Sequence, residues 1–421
     1  MTRMRGARHQ LAVLSATVVT AAVATVLMLV GTPSVSVAAT GPVGTPSPAT
    51  RAAKSTALSI EVYGNHLVNG SGKVVVLRGA DTSGTEYACV TEHSIFDGSQ
   101  EASPSSIAAM QSWGFNAARV ELNESCWLGI QGVASSVSGP AYQKAIENYV
   151  AALEAAGMYV IIDLHFSSTG GKRPATRQEP MPDESYAPAF WISVAEAFKG
   201  DPGVIFDLFN EPYPNKNTDS TAAWKCVTEG SAGGTCTGFT YQAAGLQQLI
   251  EDVRYVGATN VIMAGGPQYA GDLDQWAAYA PVDPLHQLAA SIHIYWKNPK
   301  HPEWSPCSAS SCWNQVLAPL SATVPIVVGE LGELDCGDSL YPPFLNFADQ
   351  HGISYLAWAW FAGSCKGEPS LITSYDGAPT AYGIGYQQHL AGLGLAPGPS
   401  LAALVGHAAR EPAPRRSGRH P

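Results

Sequence analysis

The sequence predicts an α/β protein built as a (β/α)8 TIM barrel, with a small N-terminal β-hairpin. Eight short apolar or β-branched segments recur between residues 74 and 361, and their starts lie 28 to 56 residues apart. These intervals are long enough for a strand, a crossover helix and loops. Near-continuous apolar strands that alternate with helices are typical of a parallel sheet covered on both faces. The predicted strands are residues 74–81, 115–122, 159–166, 204–211, 260–266, 288–296, 325–332 and 354–361.

Helical periodicity fills most of the intervals between these strands. In residues 105–113, for example, Ile107, Met110 and Trp113 share one face of a predicted helix. Comparable patterns cover residues 142–156, 190–198 and 244–256, and a less regular one covers 272–279. An open doubly wound sheet is the alternative architecture. Eight units favour the barrel, and the first strand is not followed by a glycine-rich phosphate-binding motif.

A turn signal precedes the first barrel strand. Residues 58–62 and 66–68 are strand-like and flank Gly64-Asn65, which predicts a β-hairpin. We expect this hairpin to plug the amino-terminal end of the barrel.

The two ends of the chain differ in composition from its middle. Three arginines precede an apolar stretch over residues 11–31, and Ser36-Val37-Ala38 offers a cleavage site, so residues 1–38 are predicted to be a signal peptide. The apolar stretch is long enough to span a bilayer, and an uncleaved anchor is the rival interpretation. Residues 39–57 are predicted to be a disordered linker and residues 393–421 a disordered basic tail. Residues 58–392 then form the barrel domain.

The predicted domain is strongly acidic. The whole chain carries a formal net charge of −11 and the two ends together contribute +8, so residues 58–392 carry −19. A surface of this charge repels nucleic acid and anionic polysaccharides, and it suits a neutral substrate. We therefore expect no nucleic-acid partner. We also expect no stable membrane association after signal cleavage, and a monomer.

Eight cysteines follow the predicted signal, all outside the apolar strand segments. An even number of cysteines behind a secretory signal predicts disulfides. Proximity in the sequence favours the pairs Cys89–Cys126, Cys226–Cys236, Cys307–Cys312 and Cys336–Cys365. Zinc binding is disfavoured, because the sequence contains no pair of cysteines with the CxxC spacing of a zinc site.

Two of the predicted strands run into a glutamate. One ends in Asn210-Glu211-Pro212, where the proline cannot donate to a sheet ladder. Another ends in Val328-Gly329-Glu330. Barrel enzymes place their active sites at the carboxyl ends of the strands. A pair of carboxylates there is the minimum equipment for cutting a glycosidic bond by acid/base and nucleophilic chemistry.

Further motifs at the strand ends resemble glycoside hydrolase family 5, the cellulase-like retaining β-glycosidases. The matching motifs follow one another in the family's order over about residues 58–392. They are Gly114-Phe115-Asn116-Ala117-Ala118-Arg119, Ile161-Ile162-Asp163-Leu164-His165, Phe209-Asn210-Glu211-Pro212, His293-Ile294-Tyr295, Val328-Gly329-Glu330 and Ser354-Tyr355-Leu356-Ala357-Trp358.

The resemblance implies a role for each of these strand-end residues. Glu211 would be the acid/base and Glu330 the nucleophile. The residues expected to bind the substrate or support the glutamates are Arg119, His165, Asn210, His293, Tyr295 and Trp358. No cofactor or metal is expected. Asp163 and His165 have a metal-like spacing, but other strand ends lack further ligands to complete such a site.

The sequence thus predicts a secreted, extracellular, retaining endo-β-1,4-glucanase that acts on a neutral β-linked polysaccharide. The same chemistry on mannan or xyloglucan is one alternative, and a non-catalytic carbohydrate-binding barrel is another. A metal-dependent barrel hydrolase is disfavoured. The long segment 213–240, which a Cys226–Cys236 bridge would clip, favours endo action, although exo action stays open.

Further aromatic and acidic residues lie near the predicted strand ends. Trp360, in the last predicted strand, is expected to lie in the core, and Glu333 in a loop. Four further tryptophans could either stack on sugars or pack over a neighbouring disulfide. They are Trp127, Trp224, Trp296 and Trp313.

Overall fold

Three short antiparallel strands precede the barrel. They are β1 (Ile60–Tyr63), β2 (His66–Asn69) and β3 (Val74–Val75) in a computed structural model that describes residues 58–296, 306–365 and 368–396. The predicted hairpin is confirmed, because β1 and β2 pair around Gly64, whose φ of +62° favours glycine. The predicted strand 74–81 is wrong in one respect. Its first two residues pair with β2, and the barrel strand begins only at Arg78.

The small sheet closes the amino-terminal end of the barrel, as predicted. Ile60 and Leu67 pack in one buried cluster with interior barrel residues such as Ile161 and Met263. The backbone N–H of Ile60 also donates to the carbonyl of Pro202 at 2.9 Å, just before a barrel strand. This plug keeps water away from one end of the barrel and leaves the other end for the site.

Eight parallel strands close into a barrel within the described ranges. Each strand pairs with its neighbours in chain order, and the last pairs with the first. The predicted strand positions are confirmed, although the fourth and eighth end earlier than expected. The strands are β4 (Arg78–Asp81), β5 (Ala117–Asn123), β6 (Tyr159–Phe166), β7 (Val204–Asp207), β8 (Ile262–Gly265), β9 (Leu288–Trp296), β10 (Ile326–Glu333) and β11 (Ser354–Ala357).

Helices cover the outside of the barrel, and the clearest helical patterns of the sequence are confirmed. In residues 140–155, for example, Tyr142, Ile146 and Leu153 lie on one buried face. Of the weaker pattern 272–279, only the last four residues are helical. The helices are α1 (Ala88–Thr91), α2 (Pro104–Ser112), α3 (Glu124–Leu128), α4 (Pro140–Ala155), α5 (Ala187–Phe198), α6 (Pro214–Asn217), α7 (Thr221–Glu229), α8 (Leu246–Tyr255), α9 (Trp276–Tyr279), α10 (Ser310–Cys312), α11 (Ala318–Ser321), α12 (Pro342–His351) and α13 (Ala381–Gly392).

The remaining described elements are short. Turns of 3₁₀-helix cover Gly230–Gly233 and Pro306–Ser308, and a π-helical turn over Trp313–Leu317 joins α10 to α11. A two-stranded sheet of β12 (Ile372–Ser374) and β13 (Ala378–Pro379) lies between β11 and α13 in the chain.

Large aromatic side chains fill the layer between the strands and the helices. Trp360 is fully buried, as expected, and its Nε1 donates to the Ser106 hydroxyl at 3.0 Å. Glu333 is not in a loop, because it is the buried last residue of β10. The four tryptophans of predicted loops also pack in this layer and are at most 8% exposed, which rules out a sugar platform on them: Trp127, Trp224, Trp296 and Trp313.

All four predicted disulfides are present, and they pair every cysteine of the chain. Cys89–Cys126 ties α1 to α3 beside the carboxyl ends of β4 and β5. Cys226–Cys236 clips the long segment that follows Glu211. Each bridge of this kind stabilises a fold by about 2–4 kcal/mol.

The predicted signal peptide and linker lie outside the described residues, as does most of the predicted tail. Their division from the barrel domain stays a prediction. Among the described residues, no helix is both long enough and apolar enough to cross a membrane.

Candidate active site

A cleft of about 580 Å³ opens at the carboxyl ends of the barrel strands. Seven of the eight predicted site residues line it, and Arg119 lies buried beneath it. The lining residues are Ser83, Glu86, Tyr87, His165, Phe166, Gln178, Asn210, Glu211, Tyr269, His293, Tyr295, Glu330, Leu334, Trp358, Glu368 and Pro369.

Arg119 is a fully buried cation at the centre of a group of acids. Its guanidinium makes close polar contacts with Asp81 (3.0 Å), Asp163 (2.9 Å), Asp207 (3.2 Å), Asn210 (2.8 Å) and Glu330 (2.9 Å). Burial lowers an arginine's pKa, but these carboxylates outweigh it and raise the pKa of Arg119 above its usual value. Arg119 is therefore charged at any working pH, and it contacts Glu330 from below.

The acids around Arg119 are themselves perturbed. Burial raises the pKa of Asp163 to about 7, although Arg119 opposes the shift. Burial likewise raises the pKa of Asp81 and Asp207 well above the usual range. Several buried carboxyl groups thus surround a single cation. Because one positive charge cannot balance all of them, they are not all ionised at the same time.

Glu330 is held by two donors and is almost completely buried. Arg119 Nη1 donates to its Oε1 at 2.9 Å, and the Tyr295 hydroxyl donates to its Oε2 at 2.6 Å. Burial, Glu330 and Glu211 together raise the pKa of Tyr295 well above its usual value, so the hydroxyl stays a donor. The two bonds stabilise negative charge on Glu330 and fix the direction of its carboxylate.

An irregularity in β10 aims Glu330 into the cleft. The register of β10 shifts between Val328 and Glu330 against β9, and between Val328 and Leu331 against β11. Bulges of this kind redirect a side chain at a barrel rim. Gly329, inside this irregularity, also leaves room for His293. A Cβ at this position would lie 2.8 Å from His293 Nε2, so any larger residue would displace the histidine ring.

Glu211 lies beyond the end of β7, in the segment that follows Asp207. Its Oε1 lies 3.0 Å from His293 Nδ1, and its Oε2 accepts a hydrogen bond from Gln178 Nε2 at 2.8 Å. Burial raises the pKa of Glu211, although the bond from Gln178 and the charge of Arg119 oppose the shift. A carboxyl group with a raised pKa keeps its proton to higher pH, which a general acid requires.

His293 lies between the two glutamates. Its Nδ1 lies 3.0 Å from Glu211 Oε1 and 3.6 Å from Glu330 Oε2. Burial lowers the pKa of His293 to about 3, even though Glu330 pulls in the opposite direction. The ring is therefore neutral near pH 7, and it separates the two carboxyl groups without adding a charge.

The remaining predicted residues form the wall of the cleft. His165 is held by Asp163, whose Oδ2 lies 2.7 Å from its Nδ1, and its ring stacks on Trp358 with 5.5 Å between centroids. Asn210 accepts a hydrogen bond from Arg119, which fixes the orientation of its amide. The structure thus brings all eight predicted residues together around one cleft.

The two glutamates approach each other closely. A carboxylate oxygen of Glu211, one of Glu330 and a ring nitrogen of His293 all lie within 4.8 Å of one another. These atoms are of types that bind metals, but both oxygens of Glu330 already accept from Arg119 and Tyr295. A second group with this spacing is Asp219, Asp272 and Asp274, two of them exposed. Metal independence stays a prediction.

Sequence reasoning missed several residues that the structure places in the site. Gln178, Glu86 and Tyr269 line the cleft from loops, where no periodicity marks a position. Asp81 and Asp207 lie beside Arg119 inside strands. A usable signal did exist for these two, because a charged residue inside an apolar barrel strand needs a buried partner.

The family model Cellulase (glycosyl hydrolase family 5) matches residues 68–364, which include every residue of the cleft named above except Glu368 and Pro369. The chain belongs to glycosyl hydrolase family 5. The resemblance seen in the sequence motifs is therefore confirmed, and the closed barrel is the fold of this family member.

Relatives of this chain carry two kinds of name. Endoglucanase C of Evansella cellulosilytica is 26% identical over 329 residues, which are 71% of this chain and 35% of that protein. A mannan endo-1,4-beta-mannosidase of Salipaludibacillus agaradhaerens is 23% identical over 311 residues, 72% of this chain and 82% of that protein. The chain thus spans about a third of the endoglucanase's length.

Solved structures share the fold of this family 5 barrel. A β-glucanase of Saccharophagus degradans in complex with cellotetraose aligns with 80% of this chain and 94% of its own, with a TM-score of 0.58 and 20% identity. At this identity the likeness concerns the fold alone.

Proposed function

We propose that this family 5 protein is a secreted, retaining endo-β-1,4-glucanase that hydrolyses neutral β-glucan chains. The observation that carries the proposal is the pair Glu211 and Glu330, with carboxylate oxygens within 4.8 Å in a cleft. Retaining glycosidases hold their two carboxyl groups about 5–5.5 Å apart, whereas inverting enzymes need about 6.5–9.5 Å to admit a water molecule. The short separation supports retention.

The two glutamates have complementary roles in a reaction of two steps. In the first step, Glu330 attacks the anomeric carbon and forms a glycosyl ester as the bond to the leaving oxygen breaks. Glu211 gives its proton to that oxygen as its bonding electrons arrive. In the second step, Glu211 takes a proton from water, the water oxygen bonds to the anomeric carbon, and the carboxylate of Glu330 leaves.

The other residues would serve this reaction without exchanging protons with the substrate. Arg119 and Tyr295 would hold the Glu330 carboxylate in position for attack. Asn210 would donate to the sugar 2-hydroxyl, a contact that strengthens as the ring approaches an oxocarbenium ion. Trp358 would offer an apolar face to the ring, and His165 would bind a hydroxyl beside it.

Hydrolysis of mannan by the same chemistry is the second candidate, since a mannan endo-1,4-beta-mannosidase is among the relatives. The catalytic residues do not separate the two substrates, because both are neutral β-1,4-linked chains. The choice depends on side chains such as Glu86 and Tyr269, which line the cleft outside the catalytic set.

The test is release of reducing ends by residues 39–421 from barley β-glucan, hydroxyethylcellulose, glucomannan and xyloglucan, all uncharged, with the Glu330→Gln variant as control. We expect activity on the two glucans, a rapid fall in viscosity, and a first product with the β configuration by ¹H NMR. Activity on glucomannan or xyloglucan alone would establish the alternative substrate. Binding to these polymers without hydrolysis would instead establish a non-catalytic carbohydrate-binding barrel.

Extracellular location is part of the proposal. Four disulfides within the barrel domain support it, because such bonds persist in oxidising compartments. The predicted signal peptide supports it as well. Recovery of the protein from culture medium, with an N-terminus near residue 39, is the expected result. Retention in the membrane fraction would instead support the anchor interpretation.

A further inference from the structure

A glutamine outside every recognised motif donates hydrogen bonds to the candidate acid/base. Gln178 lies in the loop between β6 and α5 and lines the cleft. Its Nε2 donates to Glu211 Oε2 at 2.8 Å and to the backbone carbonyl of Glu211 at 3.1 Å. One amide group therefore holds both the side chain and the backbone of the same residue.

The loop that carries Gln178 is itself fastened to the segment after Glu211. The Tyr213 hydroxyl donates to the carbonyl of Gln178 at 3.2 Å, and the Tyr213 N–H donates to the carbonyl of Pro180 at 3.0 Å. The Tyr213 ring stacks on Tyr269, with centroids 4.5 Å apart. These contacts fix the loop at Gln178 and at Pro180, so the amide is positioned before any substrate arrives.

This contact distinguishes the two oxygens of Glu211. An amide nitrogen can only donate, so Oε2 acts as an acceptor in the bond to Gln178 whether or not Glu211 is protonated. A carbonyl oxygen accepts more strongly than a hydroxyl oxygen, so this bond favours the acid form that carries its proton on Oε1. That oxygen lies 3.0 Å from His293 Nδ1, which is also 3.6 Å from Glu330 Oε2. Oε1 is therefore the oxygen on the nucleophile's side of the cleft.

We propose that Gln178 is a positioning residue for the acid/base of this enzyme. Its amide reserves Oε2 as an acceptor and leaves Oε1 to deliver the proton to the leaving oxygen and to accept it from water. The inference rests on the proposed function, and it adds a residue that acts only through Glu211. Gln178 also stabilises the ionised form of Glu211, because its hydrogen bond to the carboxylate opposes the effect of burial on the pKa.

The test replaces Gln178 with methionine, which keeps the length of the side chain and removes the donor. Gln248→Met is the matched control, since Gln248 Nε2 donates to Glu184 Oε1 at 3.0 Å on the outer surface. With a poor leaving group, such as a methylphenyl β-cellobioside, we expect Gln178→Met to lower kcat/KM about tenfold, within the range of acid catalysis. With 2,4-dinitrophenyl β-cellobioside, which needs no proton, kcat/KM should change less than about twofold.

The pH profile gives a second readout that a purely structural role would not move. Loss of the donor should shift the alkaline limb of kcat/KM to higher pH, because the ionised form of Glu211 loses a stabilising bond. Gln178→Glu should shift it further in the same direction, because a second carboxylate repels charge on Glu211. If the alkaline limb of kcat/KM did not move and kcat/KM fell equally on both substrates, the proposal would be overturned. Gln178 would then only stabilise its loop.

A measurement without turnover separates this inference from the proposed function. In protein labelled with ¹³C at the glutamate side-chain carboxyl, the Glu211 signal is assigned by its absence in Glu211→Gln. Its titration should move to higher pH in Gln178→Met and stay in place in Gln248→Met. If the wild type hydrolysed no glycan, the proposed function would fail while this titration still tested the contact. An unmoved titration would refute the role of Gln178 in either case.

Discussion

The two glutamates of the cleft are chemically the same residue in opposite surroundings. Glu330 is 4% exposed, sits in a barrel strand and accepts from a permanent cation and a tyrosine hydroxyl. Glu211 is 15% exposed, lies in a loop and has only a neutral imidazole and an amide beside its oxygens. A cation favours the ionised form of a carboxyl group far more than neutral partners do.

In the proposed mechanism, this difference would separate the acid from the nucleophile. Burial is the main cause of the raised pKa of Glu211, but both side chains are largely buried, so burial alone does not distinguish them. What distinguishes them is direct contact with Arg119, which the strand positions bring to 2.9 Å from Glu330. Glu211 directly follows Asn210 in the chain, and it is Asn210 that accepts a hydrogen bond from the arginine.

The largest expected effect comes from removing Glu330, the proposed nucleophile. Glu330→Gln keeps the shape and the contact with Tyr295 but cannot form the glycosyl ester. We expect kcat on β-glucan to fall by on the order of 10⁵-fold, the scale of losing a catalytic nucleophile. Thermal unfolding by circular dichroism should show a folded protein. A folded Glu330→Gln enzyme with a tenth of the wild-type rate would contradict the assignment.

Removal of Glu211, the proposed acid/base, should have a smaller effect that depends on the substrate. For Glu211→Gln, we expect a loss of about 10²–10⁴-fold with poor leaving groups, the usual contribution of general acid catalysis. With a dinitrophenyl glycoside the first step should proceed and the second should stall, because no base activates water. Added azide should then restore turnover and give a β-glycosyl azide, identified by NMR. An α-glycosyl azide would contradict retention.

The sequence revealed the parts of this site that follow strand ends. Glu330, Glu211 and Arg119 stand directly after or within apolar strand segments, where the barrel architecture alone predicts that side chains converge. Gln178 was not predictable in this way. Its loop has no period, and its position depends on contacts with Tyr213 that form only in the folded protein. Strand ends were misjudged where buried Leu208 and Phe209 continue an apolar pattern past the last sheet pairing.

Weakening the contact between Tyr295 and Glu330 should blunt the contrast between the two glutamates. Tyr295→Phe removes a 2.6 Å hydrogen bond to a carboxylate. Hydrogen bonds to charged groups contribute about 1.5–3 kcal/mol, so we expect kcat/KM to fall roughly 10- to 100-fold. Asn69→Ala, in the plug at the opposite end of the barrel, serves as the control and should leave kcat/KM unchanged. A loss below twofold in Tyr295→Phe would mean that Arg119 alone supports Glu330.

The smallest expected effect concerns stability, and it arises beneath the nucleophile. Burial raises the pKa of Asp163 to about 7 in the folded protein, above its value in the unfolded chain. The folded state therefore binds this proton more tightly, and the resulting stability is complete below about pH 4 and lost as pH rises through 7. In urea unfolding at pH 5 and pH 7, Asp163→Asn should lose less stability across this interval than the wild type. Equal changes in the two proteins would show that Asp163 remains ionised beside Arg119 throughout. The acid cluster would then act as a fixed negative charge beneath Glu330 and would offset part of the positive charge that Arg119 presents to it.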